Sequence, residues 1–287
     1  MSLLLSPVTI ARLSLKNRLV MAPMCMYEVI NKDGIATPFH FAHYGARAIA
    51  GVGLIMLEAT AVEPVGKINE QDLGLWNDTQ AVEMEKLVKS IQYLGSKVGI
   101  QLGHAGRKAD WSDECIAPSA IAFNKESVTP RQMSVEDIKR VQNAFIEAAK
   151  RAITAGVDMI ELHGAHGYLI NQFLSPLSNT RKDEYGGSLE NRYRFVQEII
   201  RPIREIFDGS LWIRLSLSDF DESGRQHTMK DWQQIGQWLE ADGIDLIDVS
   251  TVGILEVRPN IPIFPGYQVK FATDMKKALN IPVAAVG

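Results

Sequence analysis

Two cysteines in 287 residues, Cys25 and Cys115, are too few for a disulfide framework. A reducing, cytoplasmic setting is therefore expected. No apolar run is long enough to span a bilayer. The opening Met1-Ser-Leu-Leu-Leu-Ser lacks the basic start and long apolar core of a secretion signal. Positive charge is not in excess: 30 Lys and Arg stand against 34 Asp and Glu, for a net charge of −4. That balance gives no electrostatic reason to bind nucleic acid or an anionic membrane. There is no repeat array, no low-complexity tract and no visible domain boundary, so residues 1–287 are read as one domain.

What is present is alternation. Short apolar runs, Arg18–Ala22, Leu54–Ala59, Val98–Leu102, Met159–His163, Leu211–Ser216, Leu246–Ser250 and Pro282–Val286, read as strands apolar on both faces. Amphipathic stretches lie between them: Pro38–Ala50, Gln80–Leu94, Ser134–Ala155, Leu189–Ile206, Met229–Asp242 and Gln268–Leu279. Ser134-Val-Glu-Asp137 reads as a helix start, and Gly95, Gly156 and Gly243 as helix stops. A doubly wound dinucleotide-binding sheet would carry G-x-G-x-x-G after its first strand. Met21-Ala-Pro-Met-Cys-Met-Tyr27 stands there instead, which favours an α/β barrel of the TIM (β/α)8 type. Six strand–helix repeats and a seventh strand are countable. The expectation is an incomplete barrel, lacking the last strand and helices. The long loop from Gly103 to Met133 is expected to cover a site.

Barrel chemistry sits at the C-terminal strand ends. Here those ends bear Pro23, Cys25 and Tyr27; Glu58, Ala59 and Thr60; Gln101 and His104; His163, His166 and Tyr168; and Arg214 and Ser216. His163 and His166 are three apart, and a helical turn would face both imidazoles one way. Two neutral imidazole N–H groups converging on one point would bind a carbonyl oxygen and steady a developing enolate. The Tyr168 phenol can supply a proton. Gln101 offers a donor and an acceptor, Arg214 a permanent cation, and Met24 a soft side chain for stacking. Plainer readings stand beside these. Gln101 and Arg214 also suit a polar layer inside a barrel, and a lone cysteine is more often an inert small apolar residue. His40 and His43 read as helix-packing or surface residues, His227 as solvated, and the Asn179–Arg194 run as a structural corner.

Four motifs carry a resemblance: L-K-N-R-L-V-M-A-P-M-C-M-Y from Leu15, T-P-F-H-x-A-H-Y from Thr37, Q-L-G-H-A-G-R-K from Gln101, and the H-x-x-H-G-Y-L to N-R-x-R-F run across His163–Phe195. Together they resemble the old yellow enzyme family, in its short bacterial, cysteine-containing class. The resemblance implies a bound FMN reduced by NADPH or NADH. Reduced flavin then passes hydride from N5 to the β-carbon of an activated alkene: an enone, quinone or nitro compound. It implies that His163 and His166 hold the substrate oxygen and that Tyr168 protonates the α-carbon. Cys25 would tune the flavin and Tyr27 lie near the substrate oxygen. Pro23, Met24, Cys25, Ala59, Gln101 and Arg214 would bind the ring. It implies further that the FMN phosphate is gripped by backbone after strand seven and by a Gly-Arg pair after strand eight. Since the sequence ends at Gly287, a shortened chain is expected, with weak FMN retention and exposed edges that favour a homo-oligomer. Three rivals stand against this reading: a metal-dependent barrel lyase or hydrolase using His104, His163, His166 and Cys25; the flavin domain of a larger dienoyl-CoA-reductase-like protein; and a flavin-free, inactive barrel remnant. No resident metal is expected, because no acidic residue adjoins the histidines.

Overall fold

A computed structural model describes residues 2–109, 111–256 and 264–286. Gly287, where the phosphate-gripping turn is expected to begin, lies outside them. An antiparallel hairpin comes first, joining β1 (Val8–Ile10) to β2 (Leu13–Leu15). Strands and helices then alternate: β3 (Val20–Met21), α1 (Pro38–Ile49), β4 (Leu54–Ala61), α2 (Asp78–Tyr93) and β5 (Lys97–Gly103). The long loop carries a small parallel pair, β6 (Ile116–Ala117) and β7 (Arg131–Gln132), before α3 (Val135–Thr154). There follow β8 (Met159–Gly164), α4 (Leu169–Leu174), α5 (Leu189–Ile206), β9 (Ser210–Ser216), α6 (Met229–Ala241), β10 (Leu246–Ser250), α7 (Val269–Lys276) and β11 (Val283–Ala285).

The main sheet has seven strands in the order β11-β10-β9-β8-β5-β4-β3, and every pairing in it is parallel. Strand order follows chain order without reversal. A doubly wound sheet must reverse at a switch point, so this is the curled sheet of an incomplete (β/α) barrel. The local signals work as expected. Ser134 and Asp137 form a capping box, with Asp137 N–H donating to Ser134 Oγ at 3.2 Å and Ser134 N–H to Asp137 Oδ2 at 2.9 Å. Along α3, Ile138, Val141, Phe145, Ala148, Ala149 and Ala152 recur at helical spacing and are buried. Gly187, with φ +83°, turns the corner after Asn179, and Asn191 and Arg194 tie down the carbonyls of Gly186 and Glu184 there.

Successive strand residues face opposite ways, and they separate two cores. Ile55, Leu57, Ile100, Leu102, Ile160, Leu162, Ile213, Leu215, Ile247 and Val249 pack outward against the helices. The opposite face is layered. At the N-terminal end Leu54, Met56, Met159, Trp212 and Leu246 meet Leu13 and Leu15 of the hairpin, which packs against that end. One step further up β8, β9 and β10 come Glu161, Arg214 and Asp248, with Gln101 paired in register beside Glu161. One step further along each strand come His163, Ser216 and Ser250; Ser250 pairs in register with Ser216, and His163 with Arg214.

Three features differ from the sequence reading. The hairpin carries no signal there. Neither does α4, whose six residues are all buried and show no polar face. His227 is not solvated: it is half-buried, its Nε2 lies 2.7 Å from the Leu174 carbonyl, and its ring meets Trp232 edge-on.

Candidate active site at the strand ends

Strand β4 breaks register between Leu57 and Ala59. Such bulges re-aim side chains beside sites. The buried Glu58 carboxylate here accepts from Met26 N–H at 2.8 Å and from the Tyr44 hydroxyl at 3.1 Å. This pins the segment Pro23–Tyr27 over the strand ends, and Tyr27 sits in the left-handed region at φ +56°. Burial, then the charges of Asp72 and Glu58, push the Cys25 thiol up to about 12, so it stays a thiol at neutral pH. Burial and the nearby Cys25 raise Tyr27 to about 12 as well. Met24 is exposed at the rim.

In the polar layer Gln101 Nε2 donates to Glu161 Oε1 at 2.7 Å. Arg214 Nε donates to Asp248 Oδ2 at 2.8 Å. Burial, then the neighbouring Asp248, lifts Glu161 to about 8, so one of the two acids keeps its proton at neutral pH. Burial likewise raises Asp248, against the pull of Arg214. The Nη2 of Arg214 is buried with no hydrogen-bond partner among the described residues. Pro23, Glu161, Arg214 and Asp248 line one cavity of about 380 Å³, whose wall also takes in Met56, Trp212 and Leu246 from the layer below and residues of the hairpin, β3 and β11.

Above this layer the chain turns sharply after β8. The turn is not the helical one that the three-residue spacing predicts. His166 is left-handed at φ +57°, and Gly167 follows at φ +75°. A Cβ on Gly167 would lie 2.0 Å from the Gly253 carbonyl oxygen, so only glycine fits there. The His166 N–H donates to Ser216 Oγ at 3.0 Å, and its Nε2 lies 2.8 Å from Ser250 Oγ. The His163 and His166 rings stand at 87° with centroids 5.1 Å apart. Burial, then the charges of His166 and Arg214, hold His163 well below the ordinary imidazole range, so it is neutral. Its Nδ1 accepts from Ala165 N–H at 3.4 Å, which assigns the ring proton to Nε2. Tyr168 meets His163 edge-on at 4.8 Å, and the Lys108 ammonium sits 4.9 Å above the Tyr168 ring. Burial raises the Tyr168 phenol strongly. The long loop does cover this end, since Lys108 belongs to it.

His104 stands apart from any ligand set. Its Nε2 pairs with Glu63 at 2.9 Å and its Nδ1 accepts from Gly106 N–H at 2.9 Å. Glu63 also binds Arg140. Among the described residues no group of three or more His, Cys, Asp or Glu side chains is placed to hold a metal ion. The structure thus gathers Pro23, Met24, Cys25, Tyr27, Ala59, Gln101, His163, His166, Tyr168 and Arg214 at one end of the sheet. Sequence reading misses the parts played by Glu161 and Asp248. Their signal is a lone carboxylate inside each of two apolar strands. It also misses Asp72, buried in the loop after β4.

Residues 3–287 match the NADH:flavin oxidoreductase / NADH oxidase family. The chain is 52% identical over 287 residues to the NADPH dehydrogenase of Listeria monocytogenes serotype 4b, covering 100% of this chain and 84% of that one. Its fold superposes on morphinone reductase with a TM-score of 0.82 at 28% identity, covering 99% of this chain and 79% of that one. It also superposes on 2-naphthoyl-CoA reductase in complex with 2-naphthoyl-CoA, with a TM-score of 0.92 at 27% identity. There it covers 99% of this chain but only 46% of the larger one.

Proposed function

The chain belongs to the NADH:flavin oxidoreductase / NADH oxidase family, and from that premise we propose that it is an FMN-dependent NAD(P)H oxidoreductase that reduces the C=C bond of α,β-unsaturated carbonyl or nitro compounds. When bound, FMN supplies the hydride, which it takes from NADPH or NADH. The polar layer fits the flavin's pyrimidine edge. Glu161 occupies Gln101 Nε2, which leaves the amide oxygen to accept an imide N–H. Arg214 Nη2, without a hydrogen-bond partner among the described residues, would supply a cationic donor beside it, suited to the negative charge of a reduced ring. Pro23, Met24 and Ala59 would pack the ring, and Cys25 would do so as a neutral, polarisable thiol.

His163 and His166 hold the substrate oxygen. His163 is the better-defined donor, being neutral with its proton on Nε2. The left-handed turn, braced by Ser216 and Ser250, sets the second ring across it. Tyr27 lies at the rim of the same space. Tyr168 protonates the α-carbon. Its raised pKa keeps the phenol protonated until a strongly basic carbon develops, and the Lys108 cation over its ring eases the charge left behind.

The observation that carries the reading is the packing of Tyr168 edge-on against His163, which stands in register beside Arg214 on the next strand. The test is turnover of the FMN-loaded chain with NADPH and 2-cyclohexen-1-one. Formation of the saturated ketone is expected. Consumption of NADPH with every activated alkene left intact would remove the substrate half of the proposal.

A further inference from the structure

A carboxyl group beside the site has no part in the chemistry above. Asp72 is 1% exposed. Its Oδ2 accepts from the backbone N–H groups of Ile68, at 2.5 Å, and Asn69, at 3.1 Å. Its Oδ1 is buried and meets no hydrogen-bond partner among the described residues. Asp72 lines a cavity of about 10 Å³ together with Thr60, His104, His163, Tyr168 and neighbouring backbone. That is room for about one water molecule, in a wall polar enough to hold it. The ring nitrogens of His104 are already committed to Glu63 and Gly106. The Thr60 hydroxyl donates to the Glu58 carbonyl, and His163 is a neutral imidazole. Among the described residues of the wall, Asp72 and Tyr168 are therefore the two acids.

On the reading that Tyr168 is the proton source, we propose that Asp72 is a positioning residue that restores the Tyr168 proton through a single water held in this cavity. As the Tyr168 O–H bond breaks toward the substrate carbon, the water gives a proton to the phenolate oxygen. The water takes one in turn from the Asp72 carboxyl. Tyr168 ends as a phenol and Asp72 as a carboxylate, which regains its proton from bulk water. Nothing is oxidised or reduced in the relay. The protonation state suits a relay acid, because burial, reinforced by Glu58 and opposed by two backbone N–H groups and Lys67, lifts the Asp72 carboxyl to about 7. The groups around it are Glu58 from β4, Lys67 from its own loop, Cys25 and Tyr27 from the segment after β3, and Tyr168. Cys25, Tyr27 and Tyr168 are all held protonated far above neutrality.

The experiment separates the two half-reactions of the FMN-loaded protein by stopped flow. NADPH reduces the flavin, and 2-cyclohexen-1-one reoxidises it. Asp72→Asn keeps an acceptor for Ile68 and Asn69 but has no acidic proton. It should slow reoxidation about tenfold at pH 6, below the ~10²–10⁴ of a direct proton donor, and leave reduction by NADPH unchanged. Reoxidation by the unaltered protein should fall as pH rises through about 7, where Asp72 loses its proton. In Asp72→Asn that limb should vanish. Glu161 titrates near the same range, so loss of the limb in Asp72→Asn is the readout. In a Tyr168→Phe background Asp72→Asn should add nothing. An unchanged reoxidation rate and pH limb in Asp72→Asn, or full additivity with Tyr168→Phe, overturns the relay. If Tyr168→Phe alone leaves reoxidation unchanged, the Tyr168 assignment itself fails. If it slows reoxidation while Asp72→Asn does not, only the relay fails. Should Asp72→Asn not fold, a proton inventory of reoxidation in the unaltered protein decides. A curved dependence on deuterium fraction is expected for more than one proton in flight, and a straight line overturns the relay.

Discussion

The two ends of the same strands are made of different matter. At the N-terminal end the inward residues of β4, β8, β9 and β10 are Leu54, Met56, Met159, Trp212 and Leu246, packed against the hairpin. Two to four residues further along the same faces stand Glu161, Asp248, Arg214, His163, Ser216 and Ser250, all buried. The lower end satisfies only packing. The upper end buries charge and polar hydrogen, which costs stability unless each group finds a partner. One strand thus serves as a structural beam for half its length and as an instrument mount for the rest. Damage at the two ends should be read by different assays.

The largest separation is expected from Tyr168→Phe. Alkene reduction should slow by ~10²–10⁴, while the thermal midpoint and flavin reduction by NADPH stay where they were. Equal slowing of both half-reactions would move Tyr168 out of the proton-donor role. The mirror-image substitution is Trp212→Ala at the hairpin end. Removing so large a buried ring should cost about 3–5 kcal/mol of stability by denaturant unfolding. The rate per folded, flavin-loaded molecule should hardly change. A large loss of turnover without loss of stability would break the division between the ends.

Smaller effects sharpen the upper end. His163→Ala and His166→Ala should each weaken a phenol such as p-hydroxybenzaldehyde by about 1.5–3 kcal/mol, the worth of a hydrogen bond to a charged group. Spectral titration measures this, and two unchanged titrations would place both histidines outside the site. The smallest effect is one of slope. Glu161 has its folded-state pKa raised from 4.5 to about 8. The unfolded chain therefore releases that proton first as pH rises, and stability should fall between those values and level off above. Glu161→Gln should flatten the fall without abolishing it, because Asp72, raised from 3.8 to about 7, contributes in the same direction. Unfolding midpoints at pH 5, 6.5 and 8 suffice. An unaltered slope in Glu161→Gln would mean that Glu161 is ionised in the fold across that range.

The sheet and its outer helices are legible in the sequence because their physics is periodic. The pattern predicts α5 over Leu189–Ile206 and β10 over Leu246–Ser250, and the structure has both with those ends. The hairpin is hidden because its strands are three residues each and its turn passes through Ala11 at φ +49°, without the glycine that usually marks such a turn. α4 is hidden because a helix buried on every side has no amphipathic signature. Within the site, the strand-end residues can be named because the chemistry of each residue type is local. The Gln101–Glu161 and Arg214–Asp248 pairs depend on register between strand positions 60 and 34 residues apart, which no local pattern encodes.

The close approach of Gly167 to Gly253 has a consequence for how this site can change over time. The turn after β8 and the loop after β10 meet backbone to backbone, and a Cβ at either glycine would collide with the other segment. Lys108 bridges the same two strips, donating to the His166 carbonyl at 3.0 Å and the Gly253 carbonyl at 3.5 Å. The two act as the halves of a clasp. Single replacements are more readily accommodated in side chains along the covering loop and the rim near Tyr27, where one change need not be matched by another. A side chain at either half of the clasp would require the other half to move with it. His163 and His166, the proposed holders of the substrate oxygen, thus sit beside the part of the rim least able to take a single replacement.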